Sequence, residues 1–89
     1  MVEKLPYTEK HLSENTSERL FNETLDDDDL KWHYDEEDRL VESINHTDWM
    51  IQMDNQLPEK FVGQFFIPKG VYHRIIKGTQ DCIVKIIKK

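Results

Sequence analysis

The residue whose position most strongly suggests chemistry is His73, which lies just beyond a tight turn. The turn contains Pro68, whose ring fixes φ at about −65°, and Gly70, which can adopt a positive φ, so the two residues set a sharp corner. Alternation along the following strand places His73 on the same face as Val71 and Ile75. A neutral imidazole held at such a corner can bind a metal ion or contact a small ligand.

Other reactive side chains lack the surroundings that their chemistry needs. The single cysteine, Cys82, falls in a predicted strand without a histidine close in sequence, so we expect a buried, inert thiol. None of the serines stands in a nucleophile-elbow motif, and the three glycines lie on separate turns, which excludes a phosphate-binding loop. The acidic run over residues 26–29 has no glycine for the bend of a calcium loop and is predicted to be a solvated turn.

The elements that must position His73 are short strands. From Arg19 onward, apolar segments of strand length alternate with turn residues, a pattern typical of an all-β sandwich or barrel. In the clearest segment, Trp49, Ile51 and Met53 share one face, as in a half-buried strand. Seven strands are predicted, over residues 19–25, 30–34, 39–44, 48–53, 63–67, 71–76 and 82–87.

The first eighteen residues have a different pattern. Apolar side chains are sparse there, and the segment is rich in Ser, Thr, Glu and Asn, which predicts a loosely ordered arm. A chain of 89 residues can bury one modest core. We therefore divide it into an N-terminal arm over residues 1–18 and one β-barrel domain over residues 19–89.

The charge is divided unevenly along the chain. Residues 1–54 carry sixteen acidic and five basic side chains, whereas residues 55–89 carry two acidic and seven basic ones. We expect this division to reflect strands that alternate within one domain. The net charge of −6 disfavours binding to nucleic acid or to an anionic membrane. A single cysteine, together with the lack of an apolar leader or spanning segment, predicts a cytoplasmic protein.

The stretch that ends at His73 resembles the second conserved motif of the cupin superfamily. That motif reads Gly, five residues, Pro, one residue, Gly, two residues and His, with Asn four positions later. Gly63, Pro68, Gly70 and His73 follow in the same order, although four residues separate the first two and Lys77 stands at the Asn position. The resemblance implies a small, single-domain, cupin-like β-barrel of jelly-roll type.

The same resemblance implies where a metal would lie. The first cupin motif supplies two histidines separated by one residue and then a glutamate, and its positions fall on His33, on Asp35, and on Arg39 or Leu40. The family's full ligand set is therefore not present. What remains is His33, Asp35 and His73, which resembles the two-histidine, one-carboxylate triad of non-haem iron proteins and would hold one divalent cation, Fe, Mn, Ni or Zn. On one strand, residues 33 and 35 point the same way, which permits shared ligation.

Two hypotheses remain open for this cluster. Arg39 favours a hydrogen-bonded network with the neighbouring acids that needs no metal, and its fixed positive charge opposes a divalent cation. The orientation of the two histidines distinguishes these hypotheses. A ligand or metal site requires His33 and His73 to point into one cavity, whereas a structural role is indicated if His73 is hydrogen-bonded to Asp38 or Glu42.

The predicted function is the binding of a small polar ligand at the barrel mouth, and the sequence leaves open whether the protein is an enzyme. The predicted ligand contacts are Arg39, Gln52, Tyr72 and Trp49. The alternative is a non-catalytic interaction, regulatory or assembly module whose acidic arm or face contacts a protein partner. Apolar residues on both faces of the strand over residues 82–87, together with the resemblance, predict a homodimer.

Overall fold

The structure, a computed structural model, describes residues 6–89, and nearly all of its regular elements are β-strands. A 3-10 helix at Asp27–Asp29 is its helical element, and no helix in the described range is long and apolar enough to cross a membrane. The strands are β1 (Thr8–His11), β2 (Thr16–Phe21), β3 (Arg39–Ser43), β4 (Met50–Met53), β5 (Glu59–Lys60), β6 (Gln64–Ile67), β7 (His73–Ile76) and β8 (Cys82–Lys88).

The strands form two antiparallel sheets that enclose the core. The first sheet has the order β1-β2-β8-β3-β6, and the second has the order β5-β4-β7. From β2 to β6, strands from the acidic and the basic parts of the chain therefore alternate within the first sheet. Apolar side chains from both sheets meet between them and supply most of the hydrophobic burial. The buried core residues are Phe21, Leu30, Val41, Trp49, Ile51, Phe61, Ile67, Cys82, Val84 and Ile86.

Residues 8–11 and 16–18 lie in strands, so the expectation of a loosely ordered arm is wrong for these parts of the chain. Strand β1 pairs with β2, and β2 pairs with β8 from Thr16 opposite Ile87 to Phe21 opposite Cys82. All four side chains of β1 are exposed, and apolar alternation is therefore missing from its sequence. The division proposed after residue 18 falls inside β2, and residues 1–5 of the predicted arm lie outside the described residues.

Most of the predicted strands have counterparts, with two differences near the site. Strands β3, β4, β6, β7 and β8 overlap five predicted segments. The segment predicted over 19–25 ends at Phe21, because the Asn22 side chain accepts hydrogen bonds from the amide and hydroxyl of Thr24 and turns the chain. The segment predicted over 30–34 contains an isolated bridge at His33 in place of a strand.

The turn between β6 and β7 is hydrogen-bonded to the segment that contains Asp35. Gly70 has a φ of 81°, in the region that favours glycine, and its amide donates a 3.0 Å hydrogen bond to the carbonyl of Asp35. The amide of Lys69 donates a 2.7 Å hydrogen bond to Oδ1 of Asp38. The turn therefore fixes both the start of β7 and the segment over residues 35–38.

Candidate metal and ligand site

The two candidate histidines lie directly opposite each other. His73 is the first residue of β7, and His33 pairs with it in an antiparallel bridge, in which the two amide-to-carbonyl distances are 3.0 and 2.9 Å. Their ring centroids are 4.3 Å apart. Both side chains line one cavity between the sheets. This is the orientation that the sequence analysis required of a ligand or metal site.

Backbone carbonyls determine which ring nitrogen of each histidine carries the proton. Nδ1 of His33 lies 3.0 Å from the carbonyl oxygen of Lys31, and Nδ1 of His73 lies 2.9 Å from that of Val71. A carbonyl can only accept a hydrogen bond, so Nδ1 is the donor and Nε2 of the neutral ring keeps its lone pair. Metal-binding histidines are commonly held in this way. Burial lowers the pKa of His73, which favours the neutral ring.

Asp35 brings a buried carboxylate to the same place. Its Oδ1 accepts a hydrogen bond from Nη1 of Arg39 at 3.2 Å, while its Oδ2 lies 3.3 Å from Nε2 of His73. No described residue donates a hydrogen bond to Oδ2. The contact with His73 would be an ion pair if that ring were protonated, which its burial opposes. With Nδ1 carrying the proton, two hydrogen-bond acceptors face each other, and a cation between them would satisfy both.

The three candidate ligands are close enough to share one ion. One nitrogen each from His33 and His73 and one oxygen from Asp35 all lie within 4.8 Å of one another. Ligands about 2.0 to 2.2 Å from a zinc ion lie roughly 3 to 3.5 Å apart, so small side-chain rotations would complete the geometry. Three protein ligands leave coordination positions free for a small molecule.

Arg39 forms the predicted network with acids, but this network uses only one oxygen of Asp35. Besides its contact with Asp35, the guanidinium donates from Nε to Oε2 of Glu37 at 3.1 Å. The Arg39 side chain is nearly buried and is held between the two carboxylates. Glu37 offsets part of the repulsion that Arg39 would exert on a bound cation.

The cavity beside these residues has a polar mouth and an apolar floor. Its volume is about 300 Å³, which lies at the lower end of the range for small-molecule sites. Charged side chains next to the histidines and Asp35 come from Arg19, Asp29, Lys31 and Arg39. The floor is formed by Val41, Ile51, Phe61, Ile67, Ile75, Val84 and Ile86.

Of the four residues predicted to contact a ligand, Arg39 lines the cavity. The other three are placed elsewhere. The Gln52 side chain accepts a hydrogen bond from Nε of Arg74. Tyr72 is half exposed, outside the lining. Trp49 is fully buried in the core, because a large apolar ring in a short chain is needed there for packing.

Sequence analysis missed Arg19 as a cavity residue. Its side chain points inward from β2, its Nε lies 2.6 Å from Oε2 of Glu9, and its guanidinium lies 4.2 Å from the ring centre of Tyr7. The alternation of Ser17, Arg19 and Phe21 would have indicated a strand with a partly polar inner face.

Similarity to solved structures supports the assignment of the fold. No family model and no curated protein matches the sequence. A cupin domain from Bordetella pertussis has a TM-score of 0.61 and 20% identity, over 99% of each chain. A cupin-2 domain-containing protein from Shewanella frigidimarina has a TM-score of 0.61 and 18% identity, over 98% of this chain and 82% of that one.

A larger protein is similar as well. The cobalt(II) form of HppE in complex with Tris buffer has a TM-score of 0.68 and 14% identity over 100% of this chain, which spans 56% of the HppE chain. Together these similarities show that the chain has a cupin-like fold. They confirm the resemblance that was based on Gly63, Pro68, Gly70 and His73.

Proposed function

We propose that this chain binds one divalent transition-metal cation through His33, Asp35 and His73, and a small ligand in the adjoining cavity. The observation that carries the proposal is Oδ2 of Asp35, which has no hydrogen-bond donor in residues 6–89 and faces the Nε2 lone pair of His73 at 3.3 Å. The similarity to HppE, whose cobalt(II) form is known, supports the same conclusion. The cation would be Fe, Mn, Ni or Zn, since imidazole and carboxylate ligands suit these metals.

Each residue has a distinct role in this site. A bound cation would supply Lewis-acid or oxygen-activating chemistry. The two histidines present neutral nitrogen donors that are already oriented by backbone carbonyls. Asp35 supplies the negative charge, and Arg39 fixes its orientation through Oδ1. The apolar floor excludes water from the inner side of the site.

Metal analysis of matched histidine variants tests the proposal. We expect close to one equivalent of one of these four metals in the protein purified without an affinity tag or chelator, and none in His73→Ala. His46→Ala is the control, because His46 is exposed and outside the triad, and it should retain the metal. Titration of metal-free protein with Zn(II), Co(II) or Mn(II) provides a second measurement. Equal metal content in both variants, or no binding of any of these metals, would contradict the proposal.

We also propose that the outer face of the first sheet forms a homodimer. Two apolar groups lie on this face, with a row of alternating charge between them in which Lys85 stands between Glu18 and Glu42. A two-fold axis parallel to the strands, between β8 and β3, would place Lys85 of each copy opposite Glu42 of the other. The apolar residues are Leu20 and Ile83 in one group and Leu40, Phe66 and Ile87 in the other.

Light scattering combined with size-exclusion chromatography tests the dimer. Phe66 is 54% exposed, so Phe66→Ser should shift the protein toward the monomer without unfolding it. Leu57→Ser is the control, because Leu57 is 86% exposed but lies outside this face. A monomeric wild-type protein at high micromolar concentration would contradict the dimer proposal.

A further inference from the structure

We propose that the cavity binds a small organic acid with one anionic head group and an unbranched apolar tail. This inference rests on the proposed metal site and names the class of ligand that would occupy it. The head group would lie at the mouth, at the open coordination positions beside Arg39. The tail would lie on the floor between the two sheets.

The floor determines the chemistry of the tail. The inner end of the cavity is lined by the core side chains Ile51, Phe61, Ile67, Val84 and Ile86. These side chains offer no hydrogen-bonding group, so a ligand with several hydroxyls, such as a sugar, would lose hydrogen bonds to water without replacement. A cavity of about 300 Å³ holds roughly ten to fifteen non-hydrogen atoms at the packing density of proteins. The small polar ligand predicted from the sequence is therefore refined to one that is polar at one end.

The charges at the mouth determine the chemistry of the head group. Arg39 is paired with both Asp35 and Glu37, so these three side chains together carry one net negative charge. A divalent cation would add two positive charges, of which this set offsets one. Lys31 adds a further positive charge at the mouth, and Asp29 a negative one. Arg19 is paired with Glu9 and contributes little.

An anionic ligand balances these charges better than a neutral or cationic one. Beside an apolar floor, where the effective dielectric constant is lower than in water, an excess of positive charge is costly. An anion that binds the cation directly removes that excess, while an amine would increase it. A ligand with an acid head group and an apolar tail would balance the charge at the mouth and make apolar contacts with the floor.

Titration of cobalt-loaded protein with a series of alkanoates tests the proposal. The visible absorption of Co(II) reports directly on ligands that join its coordination shell. From acetate through butyrate to hexanoate, we expect the affinity to rise about three- to fourfold for each added methylene until the floor is filled. Hexanamide and hexylamine, which have the same tail but no negative charge, should bind at least tenfold more weakly than hexanoate. Equal affinity for acetate and hexanoate, or for hexanoate and hexanamide, would overturn the inference.

A variant that fills the floor separates the tail from the head group. Val84 points into the cavity from β8, so Val84→Phe should weaken hexanoate binding at least tenfold and leave acetate binding unchanged. Leu57→Phe is the control, because Leu57 is 86% exposed and lies outside both the cavity and the proposed dimer face. If Val84→Phe does not fold, methyl NMR of the wild-type protein replaces it. Hexanoate, but not acetate, should then shift the methyl signals of Ile51 and Ile86.

These measurements also separate the inference from the proposed metal site. If Co(II) binds in a manner that requires His73 but no alkanoate changes its spectrum, the metal site stands and the organic-acid inference is overturned. If Co(II) does not bind, the metal proposal fails, and the methyl spectrum of the metal-free protein then tests the cavity alone. Shifts of floor methyls with hexanoate but not with hexylamine would support the ligand class, and unchanged spectra would overturn it.

Discussion

Two aspartates at opposite ends of the β4–β7 pair, Asp48 and Asp35, differ in how their carboxylates are hydrogen-bonded. Asp48 is exposed, yet both of its carboxylate oxygens accept hydrogen bonds from Thr79, one from the amide and one from the hydroxyl, each at 2.8 Å. These bonds lower the pKa of Asp48. Asp35 is buried, yet its Oδ2 has no donor among the described residues. The hydrogen bonds of Asp48 therefore stabilise the fold, whereas the free oxygen of Asp35 can still bind a cation.

The largest expected effect is a loss of metal affinity when Asp35, but not Asp48, is replaced by asparagine. Asp35→Asn keeps the shape of the side chain but removes its charge, so the affinity for Zn(II) should fall by about 100-fold or more. Asp48→Asn should leave the affinity unchanged. Isothermal titration calorimetry of both metal-free variants measures the difference. Equal affinities would mean that Asp35 is not a ligand.

Glycines at the two ends should also respond differently to alanine. A Cβ at Gly78 would overlap Oδ1 of Asp48 and would lie 2.9 Å from the backbone carbonyl carbon of the same residue, so Gly78→Ala should cost about 1 to 3 kcal/mol. At Gly70 the space is open, and the positive φ alone should cost about 1 kcal/mol. Urea denaturation measures both free energies of unfolding. A more harmful substitution at Gly70 would contradict the tighter packing described for the Asp48 end.

In the absence of metal, Asp35→Asn should raise the free energy of unfolding, in contrast to its loss of metal affinity. In Asp35→Asn, the amide Nδ2 can donate a hydrogen bond to Nε2 of His73, which relieves the contact between two acceptors. We expect the metal-free variant to be about 1 kcal/mol more stable than the wild-type protein. Asp48→Asn should be less stable than the wild type, because the amide cannot accept from both donors of Thr79. Thermal unfolding of the metal-free proteins provides the comparison.

The smallest expected effect is a difference in pH dependence. Because burial lowers the pKa of His73 from 6.5, the unfolded chain binds this proton more readily, so the stabilising contribution is complete above about pH 6.5 and is lost as the pH falls toward the folded-state pKa. For Asp48, whose pKa is lowered from 3.8, the contribution is lost only in more acidic solution. Unfolding measured between pH 7 and 5 should therefore show a decline in the metal-free wild type that is reduced in His73→Gln and retained in Asp48→Asn.

Strands rich in large apolar side chains could be predicted from the sequence, whereas β2 could be predicted only in part. In β4, Ile51 shares the inner face with Met53, and β8 is apolar on both faces; each overlaps its predicted segment. In β2 the inward positions are Ser17, Arg19 and Phe21, because the strand lines the charged mouth of the cavity. The predicted segment therefore begins at Arg19 and misses residues 16–18, because a hydrophobic pattern does not reveal the polar part of the strand.

Sequence spacing identified the triad but not its energetics. Residue order placed His33, Asp35 and His73 as candidates, and the structure brings all three together. The unpartnered oxygen of Asp35 depends on where Arg39 and His73 lie in space, which no spacing rule contains. For the same reason, Trp49 and Gln52 were assigned to the ligand by residue type, although the fold places them away from the cavity.

The backbone bridge between His33 and His73 has a consequence for amide exchange. Each amide donates to the carbonyl of the other residue, so the backbone positions that carry the two rings separate only when both hydrogen bonds break. A bound ion would favour the closed bridge and lower the population in which these amides exchange with solvent. Deuterium uptake at the His33 and His73 amides, compared with and without the ion, would therefore report how strongly the ion holds the bridge closed.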